Sequence, residues 1–163
     1  MANLLPSLII SKYVERDATF KKRDWHMNND NKNPDIVPRP ALRVPRSKDD
    51  LKERSKAFAL RVIKLGSRLP STPLGRVIRD QLLRCGTSVG ANYRAAKRAK
   101  STADIIRKMG TVEEETDESM YWMELIVEAG LMEESLISDL YQEADEILAM
   151  VVASINTARK RKR

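Results

Sequence analysis

The sequence predicts an all-α protein, an antiparallel up-down-up-down four-helix bundle with a flexible N-terminal arm. From residue 47 onwards apolar residues recur at alternating steps of three and four, which is typical of helices with one buried face. Short breaks that contain Pro, Ser or Gly divide this region into four stretches of similar length. Helices joined by short turns pack most simply against their sequence neighbours, so the four stretches predict a bundle.

The first 46 residues have a different composition. An Asn-rich run at residues 28–33 is followed by Pro34, Pro38, Pro40 and Pro45, which prevent a helix or a sheet from propagating. We therefore predict a flexible arm, within which residues 8–25 either form a short helix or are disordered. This arm carries nine Lys or Arg against five Asp or Glu, so it is basic.

The bundle is predicted to occupy residues 47–160. Its helices are predicted at about residues 48–69, 73–99, 102–129 and 136–159. Ser47 is the expected N-cap of the first helix, Pro73 occupies the first turn of the second, and Ser101 caps the third. Gly130 is expected to end the third helix in a left-handed conformation.

The apolar positions predict which face of each helix is buried. For the second helix the seam is predicted to contain Ile78, Leu82, Cys85, Val89, Asn92 and Ala96. Gly86 and Gly90, four residues apart, predict a close approach of another helix. The third and fourth helices carry more apolar residues than one seam needs, namely Tyr121, Trp122, Leu125, Val127 and positions 147, 148 and 150–152. This surplus predicts a second buried surface between identical subunits.

The chemistry-bearing residues argue against an enzyme. One cysteine, Cys85, and one histidine, His26, exclude an internal disulfide and the His-containing zinc and di-iron sites. Cys85 lies on the apolar seam without a histidine to activate it, and the sequence contains no phosphate-binding loop, dinucleotide fingerprint or nucleophile elbow. We therefore predict no catalytic site, no cofactor and no metal site, although a weak Mg²⁺ contact at the acidic cluster of residues 113–118 stays open.

The cellular location is predicted from what the chain lacks. Its longest early apolar run, residues 4–10, is broken by Pro6, has no basic segment before it and is too short to span a bilayer. A single free thiol is suited to a reducing compartment. These observations predict a cytoplasmic protein without a membrane partner.

The positive charge of the chain lies mainly at its two ends. The net charge is +7, yet residues 47–157 hold sixteen Lys or Arg against eighteen acids. Two basic groups are the candidate contacts to RNA or DNA: Arg94, Lys97, Arg98 and Lys100 at the end of the second helix, and the tail Arg159, Lys160, Arg161, Lys162 and Arg163. The alternative is that the first group complements the helix dipole and the second is a solvated tail.

A polar row lies beside the apolar seam of the second helix. Arg84, Ser88 and Asn92 are spaced four residues apart, so they share one side of the helix and require polar partners. The acidic residues 113–118 of the third helix can supply them. We predict a buried or interfacial Arg–Glu and Asn network that fixes the register, and the alternative is a ring of polar groups lining a pore.

Several ordered motifs resemble a known bacterial family. They are FALRVI at 58–63, QLLR at 81–84, GTSVGANYR at 86–94, the acids at 113–118 and YWMEL at 121–125. They resemble the four-helix bundle protein family, first noticed as proteins encoded in intervening sequences of bacterial large-subunit ribosomal RNA (rRNA) genes. The resemblance covers about residues 50–160.

The resemblance implies a homopentamer and kinship with the accessory protein of diversity-generating retroelements, a basic pentamer that binds nucleic acid and a reverse transcriptase. The positions that match the family motif look like fold and assembly residues: Arg84, Ser88, Asn92, Tyr93, Glu118, Tyr121 and Trp122. Two departures matter, since the arm lies outside the family's compact unit and the bundle body here is slightly acidic.

Together these observations predict a non-catalytic, oligomeric bundle, with five subunits expected from the resemblance, that acts as a nucleic-acid-binding accessory protein. Its expected partners are further copies of itself, RNA or DNA, and a reverse transcriptase or another protein. The alternative function is a protein-interaction scaffold that does not bind nucleic acid directly.

Overall fold

The computed structural model of the chain describes residues 50–162, and within them it confirms the all-α four-helix bundle. The helices are α1 (Asp50–Arg68), α2 (Pro73–Ala96), α3 (Thr102–Glu128) and α4 (Ser138–Lys162), with a short 3-10 turn at Glu134–Leu136. The predicted arm of residues 1–46, the predicted N-cap Ser47 and the last residue, Arg163, lie outside the described residues.

Consecutive helices pack against each other in antiparallel pairs, and α4 closes the bundle against α1. At the start of α4, Tyr141 donates a hydrogen bond to Glu124 near the end of α3 at 2.7 Å. In the middle of the bundle, the Ser119 hydroxyl of α3 donates to the Cys85 sulfur of α2 at 3.2 Å. The up-down-up-down order places the C-termini of α2 and α4 at the same end of the bundle.

The predicted seams form the core, with one correction in α2. Phe58, Val62, Leu82 and Val89 are fully buried. Asn92, however, is only half-buried, and the neighbouring Tyr93 takes its place in the core with 6% exposure. The residue that follows Val89 in the buried seam is therefore Tyr93, four positions on. Its ring provides apolar surface that the Asn92 amide lacks.

The predicted helix starts and stops have the expected local chemistry. The Thr72 hydroxyl accepts a hydrogen bond from the Gly75 amide at 3.1 Å, and the Ser101 hydroxyl accepts one from the Asp104 amide at 3.2 Å. Gly130 has φ of 65°, so it ends α3 in the left-handed region that glycine adopts without strain.

Two helices differ from their predicted approximate ranges by a few residues. Helix α2 stops at Ala96 rather than 99, because the Arg98 and Ala99 amides bond to carbonyls three residues back and tighten the chain into a turn. Helix α4 starts at Ser138 rather than 136, and it continues to Lys162 instead of ending before the basic tail. Lys and Arg are good helix formers, and their charges interact favourably with the helix C-terminus.

Helices α1 and α2 approach closely at Gly86, as the glycine spacing predicts. A Cβ atom at this position would lie 2.7 Å from a methyl carbon of Val62. At Gly90 a Cβ would lie 3.4 Å from the Ser55 carbonyl oxygen, which is a milder contact. Gly86 is therefore the tighter point of this helix pair.

A partly buried ion-pair group links α1 to α4. The Arg54 guanidinium donates from Nε to Glu143 at 2.9 Å and from Nη2 to Glu146 at 2.5 Å. Burial alone lowers the pKa of Arg54, but the hydrogen bonds and charges of the two glutamates outweigh it, so the net shift is upward. Because Glu143 is 4% exposed, the Arg54–Glu143 ion pair lies inside the bundle.

None of the helices in residues 50–162 combines the length and the apolar character needed to cross a membrane.

Candidate nucleic-acid interface

The topology brings both predicted basic groups to one end of the bundle. Arg94, Lys97, Arg98 and Lys100 lie at and just after the end of α2, and Arg159, Lys160 and Arg161 lie in the last turn of α4; all seven side chains are exposed. Lys162 continues the same helix. We call these eight positions the basic end.

Little negative charge lies among the basic residues around the α2–α3 turn. Residues 94–108 contain six Lys or Arg and a single acid, Asp104. The Asp104 carboxylate already accepts a hydrogen bond from Arg107 at 2.9 Å and lies 3.9 Å from the Lys108 ammonium. Among residues 51–161 no ion pair involves Lys97, Arg98 or Lys100. Their charges are therefore available to an anionic partner.

The helix dipole explains only part of this cluster. A cation in the last helical turn, such as Arg94, stabilises the helix end without any partner. That effect falls off within the last turn, whereas Arg98 and Lys100 lie beyond it. The dipole therefore does not account for the basic residues between α2 and α3.

The charge of Arg159, near the end of α4, is felt by the acidic residues of α3. Burial raises the pKa of Glu113; the positive charge of Arg159 partly offsets this shift, while Glu114 and Asp117 add to it. The other described cations of the tail, Lys160 and Arg161, are exposed.

The described part of the basic end has no exposed aromatic ring. Tyr93, the aromatic residue nearest to it in α2, is 6% exposed and belongs to the core. Tyr121 is 52% exposed but lies in the second half of α3, toward the opposite end. Without a ring on which a base could stack, this end is suited to phosphates rather than to base recognition.

The polar row of α2 has one member that crosses to α3. The Arg84 guanidinium donates to the Glu118 carboxylate and lies 3.7 Å from that of Glu115. The Trp122 indole also donates to Glu118, at 3.2 Å. Burial raises the pKa of Glu115, and Arg84 partly offsets that shift. Arg84 therefore contacts two of the acidic residues in 113–118.

The rest of the predicted row has a different environment. The Arg84 side chain is 51% exposed, so in the single chain this ion pair is not buried. Asn92 donates to the Ser88 carbonyl of its own helix at 3.1 Å rather than to α3. The single chain thus contains an exposed Arg–Glu contact in place of a buried Arg–Asn network.

The remaining predicted assembly residues divide between core and surface. Tyr93 is buried, whereas Tyr121 is exposed and contacts the half-buried Trp122 edge-on, with ring centroids 5.3 Å apart. Much of the surplus apolar surface of α4 is used within the bundle, since Ile147, Leu148 and Val151 are buried. Sequence patterning missed four exposed apolar residues on other helices: Leu60, Ile63, Leu74 and Val77.

The nucleophilic and metal-binding chemistry of the described chain is sparse. Cys85 is fully buried, and burial raises the pKa of its thiol. A raised pKa keeps the sulfur protonated and poorly nucleophilic. In residues 51–161 no three Cys, His, Asp or Glu side chains converge on a possible metal position.

Comparison with known families decides where the chain belongs. The family model of the 23S rRNA-intervening sequence protein matches residues 48–153. The chain belongs to this family.

A solved structure supports the same assignment. This 23S rRNA-intervening sequence family member is similar to a protein of unknown function from the S23 ribosomal protein family of Bacteroides thetaiotaomicron VPI-5482, whose crystal structure is known. The two chains share 32% sequence identity, and the TM-score is 0.61. The similarity covers 64% of this chain and 97% of that one. No curated protein matches the chain. These matches indicate no catalytic family.

Proposed function

We propose that this 23S rRNA-intervening sequence family member is a non-catalytic, homo-oligomeric accessory protein that binds the phosphate backbone of RNA or DNA. The observation that supports the proposal most is the basic end, where the folded topology gathers the two basic groups that are 59 residues or more apart in the sequence, from Lys100 to Arg159. The protein needs no cofactor for this role and acts in the cytoplasm.

Electrostatics supports backbone binding. Each Lys or Arg that neutralises a phosphate releases condensed counterions, so affinity rises with the number of contacts and falls steeply with salt. A single subunit offers seven described, exposed cations at the basic end. An oligomer multiplies this surface, and several weak contacts to one nucleic acid then act together.

Assembly and further partners are part of the proposal through the family resemblance. The resemblance implies a pentamer, and the kinship with the retroelement accessory protein suggests a reverse transcriptase as a possible second partner. The exposed apolar residues Leu60, Ile63 and Tyr121 give an independent physical reason for self-association.

The proposal can be tested by titrating the purified protein into labelled duplex RNA and duplex DNA, at about 50 mM and about 200 mM salt. We expect binding at the lower salt that weakens by at least tenfold at the higher one. Deleting residues 159–163 should weaken binding further, whereas Arg76→Ala, at the opposite end, should not. No binding at low salt, or binding unchanged by the deletion, would contradict the proposal.

The second candidate is a protein-interaction scaffold. It is favoured by Leu74 and Val77, which are 53% and 59% exposed at the end of the bundle opposite the basic residues. If a purified protein partner binds and replacing Leu74 and Val77 with Ser abolishes that binding, while no nucleic acid binds, the scaffold function is correct.

A further inference from the structure

Most cations of the basic end follow the point at which α2 and α4 stop burying side chains. The last buried residue of α2 is Ala96, with 5% exposure, and the last one in the described part of α4 is Ile155, with 3% exposure. The Lys and Arg side chains described after these two positions, up to residue 100 and from residue 159 to 161, are exposed. We call Lys97, Arg98 and Lys100 the α2 cluster, and Arg159, Lys160 and Arg161 the α4 cluster.

A contact in the middle of the bundle fixes the height of the α2 cluster. The Cys85 sulfur of α2 accepts a hydrogen bond from the Ser119 hydroxyl of α3 at 3.2 Å, so these two residues lie side by side. The two helices run in opposite directions and rise equally for each residue. Lys97 is twelve residues after Cys85, so it lies opposite residue 107 of α3, which is twelve residues before Ser119.

A second contact fixes the height of the α4 cluster. The Tyr141 hydroxyl of α4 donates a hydrogen bond to the Glu124 carboxylate of α3 at 2.7 Å. Arg159 is eighteen residues after Tyr141, so it lies opposite residue 106 of α3, which is eighteen residues before Glu124. The two clusters therefore begin at nearly the same height along α3.

The two clusters occupy diagonal corners of the bundle. Helices α2 and α4 each pack against both α1 and α3. The axes of packed helices are about 8–10 Å apart, so the diagonal of a four-helix bundle measures about 11–14 Å. Helix packing therefore holds the two clusters at one end of the molecule with a fixed separation.

The charges of α3 between the clusters are shared among neighbours. Arg107 and Lys108 lie at the height of the clusters, but the Asp104 carboxylate is 2.9 Å from the Arg107 guanidinium and 3.9 Å from the Lys108 ammonium. By contrast, no ion pair among residues 51–161 involves a member of either cluster. The excess positive charge of this end is therefore concentrated in two places, one on each side of α3.

We propose that the α2 cluster binds phosphates of one strand of a double-stranded nucleic acid and the α4 cluster binds phosphates of the opposite strand, so that the basic end bridges a groove. The proposal deepens the proposed function and rests on it. Two rows of phosphates border each groove of a duplex, and the major groove of B-form DNA, about 12 Å wide, matches the separation of the clusters. A single strand has one flexible row of phosphates and must lose conformational entropy to reach both clusters.

The first experiment compares a duplex with its separate strands. The purified full chain is titrated into labelled duplex DNA, duplex RNA and each of their single strands at one low salt concentration. We expect a duplex to bind at least about tenfold more tightly than its single strands. Tighter binding of duplex DNA assigns the bridge to the wide B-form major groove, and tighter binding of duplex RNA assigns it to the wide A-form minor groove. Single strands that bind as tightly as the duplex would overturn the bridge.

The second experiment removes the charge of one strand. A duplex in which one strand carries uncharged methylphosphonates keeps a single row of phosphates. The wild type then loses the contacts of one cluster, so the logarithm of its association constant falls less steeply with the logarithm of salt concentration. A protein with one working cluster needs only one charged strand and loses less of this slope.

The matched variants damage one cluster each. Lys97→Ala with Arg98→Ala weakens the α2 cluster, and deletion of residues 159–163 removes the α4 cluster. Arg76→Ala with Arg79→Ala, at the opposite end, keeps both clusters and is the control. Circular dichroism establishes that each variant is folded. We expect neutralisation of one strand to reduce the slope more in the wild type and the control than in either cluster variant.

An equal reduction in all four proteins would overturn the bridge, because both clusters would then use the same strand. If that result accompanies salt-sensitive binding, the nucleic-acid function stands without the bridge. A chain that binds neither duplexes nor single strands at low salt would contradict the proposed function and the bridge together.

Discussion

At the scale of single residues, two arginines form ion pairs in very different surroundings. The Arg54 side chain is 12% exposed and lies against Glu143, which is 5% exposed, whereas the side chain of Arg84 is 51% exposed. Truncating one partner of a buried pair leaves the other charge in a low-dielectric environment, which costs about 3–5 kcal/mol. An exposed pair contributes about 0–1 kcal/mol.

We therefore expect Arg54→Ala to lower the free energy of unfolding by about 3 kcal/mol or more and Arg84→Ala by less than about 1 kcal/mol. Urea denaturation of both variants measures the difference. Equal losses of stability in the two variants would show that the α1–α4 pair is not the buried contact described above.

The sequence alone could not predict which of these two arginines forms the more buried ion pair. Arg84 stands out in the sequence because Ser88 and Asn92 follow it at helical spacing, yet only Arg84 reaches α3. Arg54 and Glu143 are 89 residues apart, and no local pattern links them. The packing of the first helix against the last decides which charges become buried. The spacing of residues within one helix does not reveal this packing.

At the scale of helices, the α1–α2 contact depends on the absence of a side chain at Gly86. An added Cβ would lie 2.7 Å from Val62, inside a fully buried contact, so the helices would have to separate. We expect Gly86→Ala to lower the free energy of unfolding by about 1–3 kcal/mol, the usual cost of overpacking a core.

Gly110 in α3 is the matched control. No atom lies within 4 Å of a Cβ built there, so Gly110→Ala should raise the free energy of unfolding by about 0.4–1 kcal/mol through the lower entropy of the unfolded chain. Chemical denaturation of both variants measures whether each substitution raises or lowers the free energy of unfolding. A stabilising Gly86→Ala would contradict the close helix approach.

The helices themselves were largely predictable from the sequence. The steps of three and four identify the buried faces, and Thr72, Ser101 and Gly130 mark helix ends through local hydrogen bonding or backbone conformation. The exact ends of α2 and α4 were not predictable in the same way. The residues after Ala96 and after Ala158 are all tolerated in helices, so tertiary packing and the final hydrogen bonds decide where each helix stops.

At the scale of the whole molecule, positive charge is concentrated at one end of the bundle, and the opposite end carries Arg68, Arg76 and Arg79 together with many acids. The basic residues after α2 and in the last turn of α4 share one end, while residues 124–143 toward the other end contain six acids and neither Lys nor Arg. The two basic groups are visible in the sequence, and the short turns predict that they share an end. The exposed Leu60 and Ile63 were not predictable, because a helical seam identifies the inner face and says little about apolar residues outside it.

We expect the basic end to form one phosphate-binding surface with contributions from both α2 and α4. The most direct measurement is the salt dependence of binding to duplex RNA, plotted as the logarithm of the association constant against the logarithm of salt concentration. For a double-stranded nucleic acid the slope changes by about 0.9 for each phosphate that the protein no longer neutralises.

We expect Lys97→Ala with Arg98→Ala to make the slope shallower by about 2 for each engaged subunit. Deletion of residues 159–163 should also make it shallower, whereas Arg76→Ala with Arg79→Ala, at the opposite end, should leave it unchanged. Slopes that stay at the wild-type value in both basic-end variants would show that phosphates do not bind at this end of the bundle.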